Sequence, residues 1–379
     1  MNIYESTKNR YIRTKKFISE QISRAKLYWH VIETEASTWE TAVSMPLSTR
    51  VWLWKHGFHS TDWLLYDFDD YGPDEYISGV QRRMASQIND PWNVLAGNKL
   101  AFYWMLSEFP DYRMKVYGIV NGTEFHPIDD CLEDFCSEHT ATSHKKTSPQ
   151  WVLEKLKEDE KLVFKPVAAS GGKSVFTCEY DGETYICDGG VVDEATLRET
   201  INDLANFLVC EHINQTEFAN ELYPDAVSTL RILTCWDSTS ERAFIPIAVY
   251  RVATDMSAPI DNWSAGGLST EVDLTDGTLG KGARYPFSGT VQWYSSHPDT
   301  GAQIEGQSIP HWEAIQDGVL KLAEQYSHLP YLGWDVVPTE NGFKIIEAND
   351  CTDVDLLQVH RPLLAEKQTR EFFAQHNLV

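Results

Sequence analysis

Long apolar runs are missing from this 379-residue chain. None approaches the roughly 18 residues needed to cross a bilayer, which argues against an integral membrane protein. The opening stretch MNIYESTKNRYIRTKK has basic residues but no apolar core, so it does not read as a secretion signal. Basic residues are scarce overall: 32 Lys and Arg face 56 Asp and Glu, a formal charge of −24. A field of that sign repels nucleic-acid backbones and anionic membranes, so nucleic acid is disfavoured as a partner. Cysteine is sparse and unpatterned. Seven residues, an odd number with no CxxC pair, read as free thiols in a reducing cytoplasm. The chain also lacks an internal repeat, a low-complexity tract, the GxxxxGK[ST] spacing of a P-loop, and a convincing Ser/His/Asp or Cys/His arrangement.

What is present is a globular composition, 42% hydrophobic and 23% charged, in a length that suits two or three domains. The acidity is uneven. Residues 1–30 hold seven basic and two acidic side chains, a net +5, which leaves −29 for the rest. Residues 5–35 read as one long helix, with Tyr4, Tyr11, Ile18, Ala25 and Ile32 on one stripe and Ile22 and Trp29 beside it. Packing on its own protein is the expectation for that stripe; a homodimer contact or a membrane surface is the alternative. Residues 36–95 are rich in Trp and Tyr. SMPLSTRVWLWKHGF reads as a helix ending at Gly57, and Pro73-Asp74-Glu75 as the opening of another. From about residue 97 the pattern changes. Strands are expected near 114–120, 162–166, 174–179, 183–187, 207–212, 230–235, 243–253, 332–337 and 343–347, and helices at 99–106, 149–158, 193–206 and 311–326. This mixture predicts an α+β fold.

Two segments carry chemistry. In Leu162-Val163-Phe164-Lys165-Pro166, followed by Val167 to Val175, a strand delivers a lysine into a small, glycine-bearing loop. Such a loop lets backbone N–H groups approach phosphate oxygens while the lysine neutralises charge. In Leu332-Gly333-Trp334-Asp335-Val336-Val337 and Phe343-Lys344-Ile345-Ile346-Glu347-Ala348-Asn349-Asp350, two strands joined by a Thr-Glu-Asn-Gly turn bring Asp335 near Glu347. Asn349 lies two residues further on the same side. Two carboxylates and a carboxamide are hard oxygen ligands of the kind Mg²⁺ takes when phosphates complete its shell.

Together with Asn98-Lys99-Leu100, Ser228-Thr229-Leu230-Arg231-Ile232, Asp261-Asn262-Trp263, Gly266-Gly267, His297-Pro298-Asp299-Thr300-Gly301, Ile309-Pro310-His311-Trp312 and Leu356-Leu357-Gln358, these segments carry a family resemblance. Over about residues 90–360 the chain resembles ATP-grasp proteins, and within them the sugar-transfer-associated group related to teichuronopeptide biosynthesis ligases. The resemblance implies an ATP-grasp fold of two α+β subdomains sandwiching ATP, 93–210 and 211–379, after a mostly helical N-terminal region, 1–92. It implies that Lys99 and Lys165 contact the α- and β-phosphates and that the loop with Ser170, Gly171, Gly172 and Lys173 closes over the triphosphate. Glu211, His212 and Ile213 would form the adenine hinge, with Glu217 toward the ribose. Arg231 would steady the γ-phosphate, making it and Lys165 the catalytic pair. Asp335, Glu347 and Asn349 would hold two Mg²⁺ ions, with Mn²⁺ able to substitute. The implied activity is a cytoplasmic carboxylate–amine ligase working through an acyl phosphate on small-molecule substrates. A small-molecule kinase using the same nucleotide site, or a non-catalytic nucleotide-binding protein, is the alternative. The chain departs from many ATP-grasp proteins in lacking an acid just before Lys99, and its first 90 residues lack the α/β domain that precedes the core in D-alanine–D-alanine ligases.

Weaker signals remain. Arg251 ends an apolar strand and could meet a substrate carboxylate or phosphate. Asn262, Gly266 and Gly267 suit an active-site wall, and His297 could line an acceptor pocket, although a Pro-Asp-Thr-Gly turn explains much of its setting. Cys131, Cys136, His139 and His144 offer two Cys and two His for zinc, but at a spacing unlike the usual ones, so a solvated loop is the expectation.

Overall fold

The computed structural model describes residues 15, 25–33, 35, 43–128, 147–168, 174–287 and 289–379. The chain is α+β and carries two seven-stranded antiparallel sheets. The first runs in the order β2-β1-β7-β3-β4-β5-β6 and the second β12-β11-β10-β9-β8-β13-β14. The strands of the first sheet are β1 (Val116–Asn121), β2 (Glu124–Pro127), β3 (Lys161–Pro166), β4 (Phe176–Tyr180), β5 (Tyr185–Cys187), β6 (Gly190–Val192) and β7 (Phe207–Glu211). Those of the second are β8 (Thr229–Asp237), β9 (Arg242–Val252), β10 (Leu268–Val272), β11 (Leu279–Arg284), β12 (Gln292–Tyr294), β13 (Tyr331–Thr339) and β14 (Gly342–Asn349).

Strand alternation decides what each face of the first sheet meets. Leu162, Phe164 and Val209 pack under two helices, Ser148–Asp159 and Glu194–Asp203, against Val152, Leu156, Leu197 and Ile201. Leu208 and Cys210 take the other face and join Met114, Val116 and Val337 in a cluster that ties this sheet to the second one. Lys165 shares that inward face with Val163, two residues before it on β3.

The second sheet is covered on both sides. Helix Trp312–Gln325 lays Ile315, Val319 and Leu322, spaced three and four apart, against Leu230, Ile232, Trp334 and Val336. Burying each such side chain stabilises the fold by about 2 kcal/mol. The opposite face packs Leu233, Cys235, Ile247 and Tyr331 against the N-terminal helical region, including helix Leu47–His56, and the C-terminal helix Lys367–Gln375. Two buried carboxamides fasten this layer. Gln358 accepts from Ile77 N (2.7 Å) and donates to Ile77 O (3.0 Å), and Asn89 does the same with Tyr331 (3.2 and 2.6 Å).

Several expectations need correction. Only residues 25–33, Lys15 and Glu35 of the expected 5–35 helix are described, and they are helical. The buried side there is set by Val31 and Glu35, while Trp29 of the expected stripe is 61% exposed. Glu35 is drawn in by Arg50, whose Nη1 donates to it at 3.0 Å. Pro73–Glu75 forms a single 3-10 turn; the helix that follows, Gly79–Ala85, starts at Ser78, whose hydroxyl accepts from Gln81 N. The free-thiol reading fails for one pair. Cys178 and Cys187 are Cα partners on β4 and β5 and form a disulfide. A hairpin brings together two cysteines nine residues apart, a pairing the missing CxxC could not reveal. Cys210, Cys235 and Cys351 are free. Cys131, Cys136, His139 and His144 lie outside the described residues. Among those described, no group of three His, Cys, Asp or Glu could hold a metal ion, and no helix is long and apolar enough to cross a membrane.

Candidate active site

Asp335 sits on β13, next to the edge strand of the second sheet, with Arg231 of β8 as its Cα partner on one side and Glu347 of β14 on the other. It is 2% exposed. A carboxylate is tolerable at that depth because guanidinium groups surround it. Arg231 Nε and Nη2 donate to Asp335 Oδ1 (2.5 Å) and Oδ2 (3.1 Å), and Arg251 Nη2 donates to Oδ2 (3.0 Å). Burial alone would raise this carboxyl, but the charges of Arg231 and Arg251 outweigh it and hold its pKa at about 2. The third nitrogen of Arg231, Nη1, donates to Thr352 Oγ1 at 3.0 Å. Gly333 makes room for this contact, since a Cβ there would lie 2.2 Å from Thr352 Oγ1 and 3.2 Å from Arg231 Cδ.

Glu347 is less enclosed, with Lys99 Nζ at 3.5 Å. Asn349, Cα partner of Gly333, presents the Nδ2 end of its amide to a buried position with no hydrogen-bond partner. The amide can be placed either way round, so the same position suits its oxygen. Two hard carboxylates and an unsatisfied carboxamide at one end of a hairpin fit a magnesium site that relies on phosphate oxygens for the rest of its shell.

Lys165 reaches toward this group from the first sheet. Its Nζ lies 3.5 Å from Met114 Sδ, and it pairs with no carboxylate among the described residues. A cavity between the sheets is lined by Lys99, Lys165 and Arg113 among Tyr103, Met114 and Ile346. The Arg113 guanidinium lies over the Tyr103 ring, 4.0 Å from its centroid. Lys99 opens helix Lys99–Met105, which Asn98 caps by accepting from Leu100 N and Ala101 N. The acid often found before that lysine is replaced here by a helix cap.

The structure therefore gathers Lys99, Lys165, Arg231, Arg251, Asp335, Glu347 and Asn349. Glu211 Oε1 accepts from Lys115 N at 2.7 Å, closing the end of the β1–β7 ladder. Burial lowers the His212 pKa, helped by Lys161. Ile213 joins the cluster between the sheets, and Glu217 is exposed at the start of the next helical turn. Ser170, Gly171, Gly172 and Lys173 lie outside the described residues. Asn262 Oδ1 caps its own turn, accepting from Ser264 N and Ser264 Oγ. Gly267 packs backbone on backbone, because a Cβ would lie 3.0–3.1 Å from the carbonyls of Asp261, Asn262 and Val252. Gly266 has φ +116°, which favours glycine. His297 is not brought to the cluster. It is buried, with Nε2 on Ala253 O (2.8 Å) and Nδ1 accepting from Asp299 N and Thr300 N, so it braces a turn. Sequence reasoning named Thr229 and Asp261 within motifs without a side-chain role for either, and missed Thr352. The available signals were the spacing of Thr229 two residues before Arg231 and the acid directly before Asn262.

The sequence profile described as sugar-transfer associated ATP-grasp matches residues 119–370, about two thirds of the chain. The chain belongs to this ATP-grasp family. Comparison with curated proteins finds no match. Among solved structures, this ATP-grasp chain is similar to an L-amino acid ligase from Bacillus licheniformis at 11% identity and a TM-score of 0.33, covering 68% of this chain and 41% of that one. It is similar to the D-alanine–D-alanine ligase from Coxiella burnetii at 9% identity and a TM-score of 0.35, covering 79% and 66%. It is also similar to a D-cycloserine synthetase at 14% identity and a TM-score of 0.38, covering 77% and 72%. The chain thus spans only two fifths of the first of these proteins.

Proposed function

We propose that this ATP-grasp chain is an ATP- and Mg²⁺-dependent carboxylate–amine ligase. The observation that carries the reading is the Lys165 ammonium, half-buried between the sheets without a carboxylate partner among the described residues and sharing a cavity with Lys99 beside Glu347. A cation left in that position suits an anionic ligand. In this reading Lys165 and Lys99 bind the phosphates, and Asp335, Glu347 and Asn349 hold the metal. Bound magnesium would supply charge neutralisation between the phosphates and the incoming carboxylate. Arg231 keeps Asp335 ionised and oriented toward the reacting phosphate. Residues 93–210 and 211–379 are the two halves that enclose the nucleotide.

The chemistry needs position more than protein covalency. A substrate carboxylate oxygen attacks the γ-phosphorus, the bond to the β-phosphate bridge breaks, and ADP leaves with that electron pair. An amine then attacks the acyl carbon, the acyl–phosphate bond breaks, and phosphate departs as the nitrogen loses its proton. The acceptor class is an amine on a sugar, peptide or related metabolite. A screen of amino acids against amino sugars and small amines, read as ADP and phosphate release, tests this. Release that requires both components supports the ligase. A stable phosphorylated product formed without amine would make the chain a kinase.

A further inference from the structure

Two guanidinium groups meet at Asp335, and they are engaged differently. Arg231 has all three nitrogens committed to Asp335 and Thr352, with a side chain 6% exposed. Arg251 commits Nε to Thr229 Oγ1 at 2.9 Å, and Nη2 to Thr229 Oγ1 and Asp335 Oδ2. Its Nε also lies 3.4 Å from Asp261 Oδ2. Its Nη1 donates to nothing among the described residues, and its side chain keeps 14% exposure. Thr229 is the Cα partner of Arg251 and donates its own hydroxyl to Asp261 Oδ2 at 2.5 Å. A guanidinium is a rigid planar fork, so fixing two nitrogens fixes the direction of the third. Asp261 and Thr229 thereby leave two N–H donors aimed and unused.

Position across the sheet indicates which oxyanion they take. The order is Glu347 on β14, Asp335 on β13, Arg231 on β8 and Arg251 on β9, so Arg251 lies three strand spacings, about 14 Å, from the Glu347 strand. The cations suited to ATP, Lys99 and Lys165, sit at the β14 side. The far side of Asp335 is where the group that receives the γ-phosphate would lie.

We propose that Arg251 seats the substrate carboxylate through Nη1, that Asp261 and Thr229 are positioning residues aiming it, and that Arg231 is the strut holding Asp335. This rests on the ligase reading above. The test uses the full chain with an amino-acid mixture as carboxylate, hydroxylamine as nucleophile and hydroxamate as readout. Mg·ADP and Mg·AMP-PNP binding is measured by calorimetry alongside. Thr229→Val and Asp261→Asn are expected to raise the carboxylate KM about tenfold with a much smaller change in kcat, since each removes one anchor of a charge-assisted contact. Thr229→Ser restores the KM, and both nucleotides bind these variants as they bind the wild type. If Asp261→Asn does not fold, Thr229→Val against Thr229→Ser decides the same question. Unchanged KM in Thr229→Val and Arg251→Lys, with hydroxamate still formed, overturns the assignment alone. Weakened Mg·AMP-PNP with normal Mg·ADP places Arg251 on the γ-phosphate and also overturns it. A wild type that binds Mg·ADP but forms no hydroxamate removes the ligase reading, and this assignment with it.

Discussion

At the scale of single residues, the two members of the expected metal pair respond differently to neutralisation. Asp335 is enclosed by two guanidinium groups, so Asp335→Asn leaves them buried without their counter-charge; removing one partner of such a pair costs roughly 3–5 kcal/mol. Glu347 is more open, with the Lys99 ammonium 3.5 Å away, so Glu347→Gln is expected to keep the melting temperature close to wild type while abolishing ATP turnover. A large fall in melting temperature for Glu347→Gln and none for Asp335→Asn would contradict the placement of the arginines. Lys165→Met is expected to weaken Mg·ADP binding by about tenfold or more in calorimetry, as loss of a charge-assisted contact does. Unchanged affinity would refute its role.

Asp355 supplies a pH signature of the N-terminal contact. Its carboxyl accepts from Tyr66 OH at 2.7 Å, and burial, then the charge of Asp353, raises its pKa from 3.8 to about 6. A raised carboxyl favours its protonated form in the fold, so folding takes up a proton between about pH 4 and 6. Stability from this group is therefore lost as pH rises through that window. Asp355→Asn is expected to raise the melting temperature at pH 8, with the gain vanishing near pH 4. A gain that is the same at both pH values would contradict this.

At the scale of elements, the helix Trp312–Gln325 supports the sheet from the face opposite Asp335. Leu322→Ala there is expected to cost roughly 2–5 kcal/mol in denaturant unfolding while leaving Mg·ADP affinity unchanged. The elements also show what could be read from sequence. The β13–β14 hairpin was legible because apolar alternation and a short Asn-Gly turn fix register, and Asp335 does pair with Glu347. Strands β10, β11 and the edge strand β12 were not, because 268–294 is broken by glycine, aspartate and threonine and each pairs outward in turn from β9. The site followed the same rule. Residues within one hairpin or strand were foreseeable, whereas the Thr229–Asp261–Arg251 contacts join a strand, its neighbour and a loop, with Thr229 22 residues from Arg251 and 32 from Asp261. His297 misled for the converse reason, since a histidine in a tight turn satisfies backbone groups there as readily as it meets a ligand.

At the scale of the whole molecule, a chain of charge −24 accommodates an anionic ligand only by reversing sign locally. In the proposed reading Lys99, Lys165 and Arg113, which line the cavity between the sheets, do so. The N-terminal region is part of the second sheet's core, and Glu35 is the partner of buried Arg50. Removing residues 1–35 is therefore expected to lower the melting temperature by several degrees while nucleotide affinity stays as it was. Loss of nucleotide binding in that variant would contradict the position of the site.

The central claim is that a carboxylate is activated by phosphoryl transfer. Oxygen-18 in the carboxylates of an amino-acid mixture, turned over with Mg·ATP and hydroxylamine, tests it most directly through the isotope shift of released phosphate in ³¹P NMR. The account predicts one labelled oxygen in each phosphate, carried over when the acyl–phosphate bond breaks. Phosphate released without label, while ATP is consumed and product forms, would contradict it.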